Sequence, residues 1–431
     1  MAASDIVIVE GVRTPYVKAG AAFNFISAQE LGRIAVSELL AKTDLDPSII
    51  DEVVIGNIGQ PAEATNIARV ISLNSHIPHH VPAYTVQRNC ASGMEAIAQA
   101  YTKIRLGYAQ VVIAGGTESM SNIPLLFQKT YADFLNSLMR SKTPLQKIQT
   151  LLKFRFSFLK PRIALLEGLM DPICGLNMGE TAELLAREWG ISREDQDRFA
   201  LRSHQKTAKA WEEGKFLDEV TPVYIPKEYT QVIKEDIGPR KNQTLDQLGK
   251  LKPFFDRRYG TVTAGNSSQI TDGAVAVLVM REDVALSLGY APLAAIRAYA
   301  FGGIEPKRMG LGPVIATKFA LERAHLTFKD IQLIELNEAF AAQVLAVFKA
   351  FESSKFSKEY LDQSEPLGDV DPQIVNVNGG AIALGHPVGS SGARIIITLA
   401  KEMKRRQLQH ALAMICIGGG QGGAMILERY A

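Results

Sequence analysis

At 431 residues the chain exceeds one ordinary hydrophobic core and calls for two or three domains. A net charge of +2 gives no global field to draw nucleic acid, and the three cysteines have neither disulfide nor zinc spacing, so we expect a reducing, cytoplasmic setting and no metal. Hydrophobic content of 47% with 35 glycines describes a soluble α/β chain, and no apolar stretch reaches the roughly 20 residues that span a bilayer. The opening residues run directly into a strand, Ile6-Val7-Ile8-Val9, leaving no room for a signal or transit peptide. Next, Ala83-Tyr84-Thr85-Val86 reads as extended, and a helix opens at Ser92 just after Arg88-Asn89-Cys90-Ala91. A thiol at such a turn lies over the positive end of a helix, where orphan N–H groups and the macrodipole favour the thiolate. Cys90 is therefore a candidate nucleophile, with Ala91, Ser92 and Gly93 small enough to clear a substrate's path; an isolated cysteine reads more plainly as a small buried hydrophobe.

From about 121 to 250 the pattern changes to helical segments with charged punctuation, a lid-like insertion. Ser192-Arg193-Glu194-Asp195 opens one of its helices with acidic residues in the first turn. Within it, 136–166 holds Arg140, Lys142, Lys147, Lys153, Arg155, Lys160 and Arg162 among Leu and Phe, with no acidic residue. That stretch is either a solvated helical face or a contact for an anionic membrane surface, a protein partner or an acidic nucleotide. Phe154, Phe156 and Phe158 alternate like an anchor, which argues against base stacking. A strand over 274–280 and a helix over 282–288 complete the first half, and the second begins near Pro292.

Two pairs of segments read alike. Cys90-Ala91-Ser92-Gly93, a helix, and the strand Val111-Val112-Ile113-Ala114-Gly115-Gly116 parallel Gly389-Ser390-Ser391-Gly392, a helix, and Ala411 to Gly419; the run from Asp46 to Asn57 parallels that from Thr327 to Asn337. A duplicated αβ domain follows, with divisions at 1–120 plus 251–291, 121–250 and 292–431. Pseudo-symmetric packing would turn Cys90 toward His386 and Cys416 of the other half.

His386 stands in Gly385-His386-Pro387, where the backbone must turn sharply, and a histidine can accept a thiol proton near neutral pH. The other six histidines read as structural: His76, His79 and His80 on the surface or in loops, His204, His325 and His410 on helices or at their ends. Cys416-Ile417-Gly418-Gly419-Gly420 ends a buried strand in a glycine turn that lacks the Gly-Lys-Ser/Thr of a phosphate loop, and a second thiol there could shuttle a proton. Asn337, in Asn337-Glu338-Ala339-Phe340, could hold a water, orient the histidine or cap a helix.

Together with Glu10 to Pro15, Ala114 to Ser121, Met178 to Glu183 and Thr261 to Ser268, these segments resemble the thiolase family over essentially the whole chain. The resemblance implies a five-layer αβαβα fold from two like domains plus an inserted loop domain. It implies that Cys90 attacks a 3-ketoacyl-CoA, His386 takes its proton, and Cys416 protonates the leaving carbanion and later activates the CoA thiol. One oxyanion site would be His386 with a water on Asn337, the other the N–H groups of Cys90 and Gly418. Ser268 would contact the pantetheine arm, with Met178, Phe340 and Ala339 lining its tunnel; CoA is a substrate, and no cofactor stays bound.

Asn177, Gln421 and an extra segment at about 351–371 depart from short-chain biosynthetic members. With the 153–159 stretch, they are more similar to the thiolase (β) subunit of trifunctional fatty-acid oxidation complexes. That implies acyl-CoA substrates, a homodimer or tetramer, a multifunctional hydratase/dehydrogenase partner subunit, and peripheral membrane contact through 136–166. The alternatives are an acetoacetyl-CoA thiolase run toward condensation and a non-catalytic lipid carrier or scaffold. A decarboxylating ketoacyl synthase generally needs a second histidine where Asn337 stands.

Overall fold

The computed structural model describes residues 5–226 and 229–430. The principal strands are β1 (Ile6–Arg13), β2 (Glu52–Gly56), β3 (Ala83–Val86), β4 (Val111–Ser119), β5 (Thr271–Arg281), β6 (Ala294–Gly303), β7 (Leu333–Leu336), β8 (His410–Ile417) and β9 (Gln421–Glu428). The helices that matter most are α1 (Ala28–Thr43), α2 (Ser92–Arg105), α3 (Met178–Glu188), α4 (Arg193–Glu212), α5 (Gly312–Ala324), α6 (Ala341–Phe351) and α7 (Val388–Arg406).

The strands follow the order β7-β8-β9-β6-β1-β5-β4-β2-β3, with Val17–Lys18 added beside β5. Each half repeats one pattern: β2 and β4 are parallel, β4 and β5 antiparallel, and β5 and β1 antiparallel; likewise β7 and β8 are parallel, β8 and β9 antiparallel, and β9 and β6 antiparallel. Among the described residues the halves join edge to edge through Val7 with Ala295 and Ile8 with Ala294. In the first half the chain between β4 and β5 runs from 120 to 270, whereas β8 and β9 are joined by 418–420.

Alternation along each strand builds the layers, because successive side chains leave opposite faces. Val275, Val277 and Val279 of β5 face a central core with Ala411, Ala413 and Ile415 of β8; Ala276 and Leu278 face an outer core with Leu31 and Leu39 of α1, and Leu412 and Met414 face another with Val314 and Leu321 of α5. Helices α2 and α7 fill the middle. The result is the expected five-layer αβαβα arrangement, whose central strands β4, β5 and β8 are almost wholly buried because both faces are covered.

The contacts divide the chain into two compact units, one of 1–122 with 171–431, the other Ile123–Met170. In the larger unit, α4 is capped as the sequence predicts, with Ser192 and Asp195 exchanging side-chain and backbone bonds. The smaller unit is a pair of helices, Lys129–Arg140 and Pro144–Leu151, with a two-stranded ribbon and a short aromatic cluster of Phe134, Phe154 and Phe158. None of its residues is buried. His410 begins strand β8 and belongs to no helix, correcting the reading of that residue from sequence.

Candidate active site

Cys90 sits in the turn between β3 and α2, where Asn89 adopts the left-handed conformation at φ +43°. The Asn89 side chain donates to the Gly418 carbonyl (2.7 Å), fastening this turn to the glycine turn of the second half. Two backbone N–H groups, those of Gly418 and of Cys90 itself, point at the sulfur. Burial nevertheless pushes the Cys90 thiol above its ordinary range, with Glu118 adding to the shift. The expectation of a helix-stabilised thiolate is thus corrected: desolvation outweighs the donors, and the sulfur needs a base.

The small residues after it also serve packing. Ala91, Ser92 and Gly93 are buried, and a Cβ on Gly93 would lie 2.8 Å from the Ala393 nitrogen, while one on Gly392 would lie 2.6 Å from the Met94 nitrogen. They let α2 and α7 cross at backbone contact.

That crossing brings the start of α7 to the Cys90 turn, where a Cβ on Gly392 would lie 3.4 Å from the Ala91 Cα. Gly385 holds φ +107°, a conformation closed to side chains, and the His386 N–H donates to the Gln269 carbonyl (3.0 Å). His386 Nδ1 lies 2.6 Å from Ser391 Oγ, whose hydroxyl donates to the Pro387 carbonyl (3.0 Å). The network therefore assigns the ring proton to Nδ1 and leaves a lone pair on Nε2, which is buried and unpartnered. Burial, reinforced by the nearby Arg394 guanidinium, lowers the imidazole pKa to about 3. His386 is a neutral acceptor.

Cys416, near the end of β8, is buried, and desolvation with the neighbouring Cys90 sulfur pushes its thiol far above the usual range. Asn337 follows β7 and is held by its N–H to the Met414 carbonyl (2.9 Å), two residues from Cys416. Its side chain is fully buried with neither amide atom partnered. It caps nothing, since α6 starts at Ala341 with Phe340 in the cap position. A buried amide left bare is a seat for water.

The remaining expected residues form a second group. Ser268 N–H donates to the Ala339 carbonyl (2.9 Å), and Ser267 bridges Phe340. Phe340 meets Phe255 edge-on at 6.0 Å, Phe255 packs against Gly179, and Met178 Sδ would lie 3.3 Å from a Cβ on Gly418. Ser268, Ala339 and Phe340 therefore adjoin one another, while Met178 adjoins the Gly418 turn. Asn177 spends its side chain capping α3, accepting from Glu180 N (3.0 Å), and Gln421 accepts from Arg88 (3.2 Å).

The sequence reading missed Ser391, which fixes the His386 tautomer, Gln269, and the buried pair of Arg394 with Glu335 (3.1 Å). Ser391 lies inside the repeated segment, in the first turn of α7 and five residues after His386. Glu338, next to Asn337, accepts from Ser203 (2.6 Å), Asn376 (2.8 Å) and Ile382 N (3.2 Å), tying the Asn337 segment to the glycine-rich run before His386.

The family model for the thiolase N-terminal domain matches residues 6–283, and that for the thiolase C-terminal domain matches 290–429. The chain belongs to the thiolase family. This thiolase is 44% identical over 424 residues to a 3-ketoacyl-CoA thiolase of Yersinia pestis, covering 98% of this chain and 96% of that one. It superposes on the Bacillus anthracis acetyl-CoA acetyltransferase with a TM-score of 0.85 at 38% identity, covering 99% of each chain. The human mitochondrial 3-ketoacyl-CoA thiolase gives 0.85 at 36% identity over 99% of each chain, and its complex with CoA gives 0.84 at 36% over 99% of this chain and 98% of that one. As a thiolase the protein is an acyltransferase. Among the described residues no group of three or more His, Cys, Asp or Glu is placed to hold a metal ion, and no helix is long and apolar enough to cross a membrane.

Proposed function

We propose that the protein is a 3-ketoacyl-CoA thiolase of fatty-acid β-oxidation, cleaving its substrate with CoA to acetyl-CoA and a shortened acyl-CoA. His386 Nε2 takes the Cys90 proton, and the sulfur attacks the keto carbon, whose oxygen draws on His386 and a water on Asn337. The C–C bond breaks, and the departing acetyl-CoA carbanion takes the Cys416 proton. The Cys416 thiolate then deprotonates CoA, whose sulfur attacks the Cys90 thioester; the Gly418 and Cys90 N–H groups hold the oxyanion. Cys90 leaves and recovers its proton from His386. Two easier steps replace one hard one, and each oxyanion donor is worth about 3 to 4 kcal/mol. Ser268, Met178, Phe340 and Ala339 serve the pantetheine arm in this reading; CoA is substrate, and no cofactor is retained.

The unpartnered, neutral Nε2 of His386 is the observation that most supports this chemistry, because a buried acceptor without a partner is costly unless a reacting proton or oxygen meets it. In the test, purified protein cleaves 3-ketohexadecanoyl-CoA with ping-pong kinetics and an acyl adduct appears on Cys90. Activity surviving in Cys90→Ala would sink the proposal.

Equal structural similarity to an acetyl-CoA acetyltransferase keeps a condensing acetoacetyl-CoA thiolase as the second reading. It requires the C4 substrate to outrun the C16 one. We further propose the three-part division at 1–120 with 251–291, 121–250 and 292–431, supported by the repeated strand order. A homodimer or tetramer is favoured by β3, the terminal strand of the sheet, half-exposed along its length. A cytoplasmic location, a hydratase/dehydrogenase partner and membrane contact through 136–166 complete the proposal. The last is favoured by the exposed Leu152, Phe156 and Met139 among basic residues.

A further inference from the structure

Glu118 lies at the end of β4 and is fully buried. Both of its carboxylate oxygens are met by N–H donors: Oε1 accepts from Gly59 N (3.0 Å) and Asn57 Nδ2 (3.0 Å), Oε2 from Ile58 N (3.1 Å) and Gly389 N (3.1 Å). The first three donors come from the turn after β2, in the half that carries Cys90. The fourth belongs to the first turn of α7, which follows His386 and contains Ser391. Helix α7 has no side-chain cap of its own, because its cap position is Pro387. A carboxylate at a helix N-terminus satisfies orphan N–H groups and complements the dipole, so the missing cap is contributed by the opposite half. The fit is close: a Cβ on Gly389 would lie 2.8 Å from Glu118 Oε2 and 2.6 Å from the Thr117 carbonyl.

We propose that Glu118 is a positioning residue for thiolysis: its carboxylate fixes the first turn of α7, and with it the Ser391-held imidazole of His386, against the half that carries Cys90. The inference rests on the thiolase reading above. Glu118 acts through the helix, since the four hydrogen bonds it accepts come from protein N–H groups. A glutamine of the same shape would turn an NH₂ group toward N–H donors on one side, so the latch would open without loss of volume.

The test compares Glu118→Gln with wild type on the full chain, using 3-ketoacyl-CoA and CoA. Misplacing the base by about 1 Å costs on the order of 100-fold, so kcat falls by about that factor while both KM values stay within about twofold. A folded Glu118→Gln with kcat within threefold of wild type overturns the inference, as does a rise in KM matching the fall in kcat. If Glu118→Gln does not fold, Asn57→Ala removes one of the four donors: kcat about tenfold lower at unchanged KM supports the latch, and wild-type kcat overturns it. A wild-type protein inactive on every 3-ketoacyl-CoA defeats the thiolase reading itself, a result distinct from an active wild type with an unaffected variant.

Discussion

Asn337 shows how little of a side chain's purpose lies in its own letter. In the sequence its competing roles are a helix cap, a water seat and an orienter of His386; the structure removes the cap, because Phe340 holds the cap position of α6. Asn337→Ala should lower kcat by about 100-fold or more, the scale of one oxyanion-hole contact, with little change in KM, as steady-state kinetics would register. Two buried histidines are held below the usual imidazole range. His204, whose Nδ1 accepts from Arg240 N (3.2 Å), is lowered to about 4 by burial, and His386 to about 3. Between pH 6.5 and about 4 the unfolded chain takes up protons that the folded His204 refuses, so its contribution to stability falls as pH falls. Glu118 and Glu335, raised by burial to about 7 and about 8, act with the opposite sign over pH 8 to 4.5. The His204 term is isolated by difference: denaturant melts at pH 7 and pH 5 should show a smaller acid loss in His204→Asn than in wild type. Cys90, His386 and Cys416 were legible as chemistry, but the direction of the Cys90 shift was not. Proximity to a helix start can be read along the chain, whereas desolvation depends on what the other half lays over it.

At the scale of elements, the crossing of α2 and α7 governs the site. Gly392→Ala would place a methyl 2.6 Å from the Met94 backbone nitrogen, and because backbone cannot yield like a flexible side chain, we expect about 1–3 kcal/mol of destabilisation in urea melts, accompanied by lower kcat. The strands, their turns and the start of α4 were readable, since apolar runs, glycine turns and a Ser-x-x-Asp cap are local signals. The helix crossing was not. Ala91-Ser92-Gly93 is compatible with an open approach and with a close packing contact, and only a partner helix tells them apart.

For the whole molecule, duplication carried the furthest, because two copies of one strand order must meet at equivalent turns. The stretch around 136–166 stayed ambiguous in sequence, since amphipathic helices look the same whether they cover a core or face outward. In the structure Phe156 is 85% exposed and Leu152 81% exposed. Co-sedimentation should therefore show binding to phosphatidylserine vesicles, weak binding to phosphatidylcholine, and release at high salt; Lys153→Glu with Arg155→Glu should weaken it by about 1 kcal/mol or more per charge. Binding unaffected by salt or by these changes would remove the lipid surface from the proposal.

The narrow seam between the halves, two residue pairs of β1 and β6, has a bearing on how the chain acquires its shape. Each sheet leans its inner face on helices shared with its twin, so neither lobe possesses a complete interior. Cut between 283 and 290 and made separately, the fragments should be insoluble alone, yet produced together they should find each other and regain turnover.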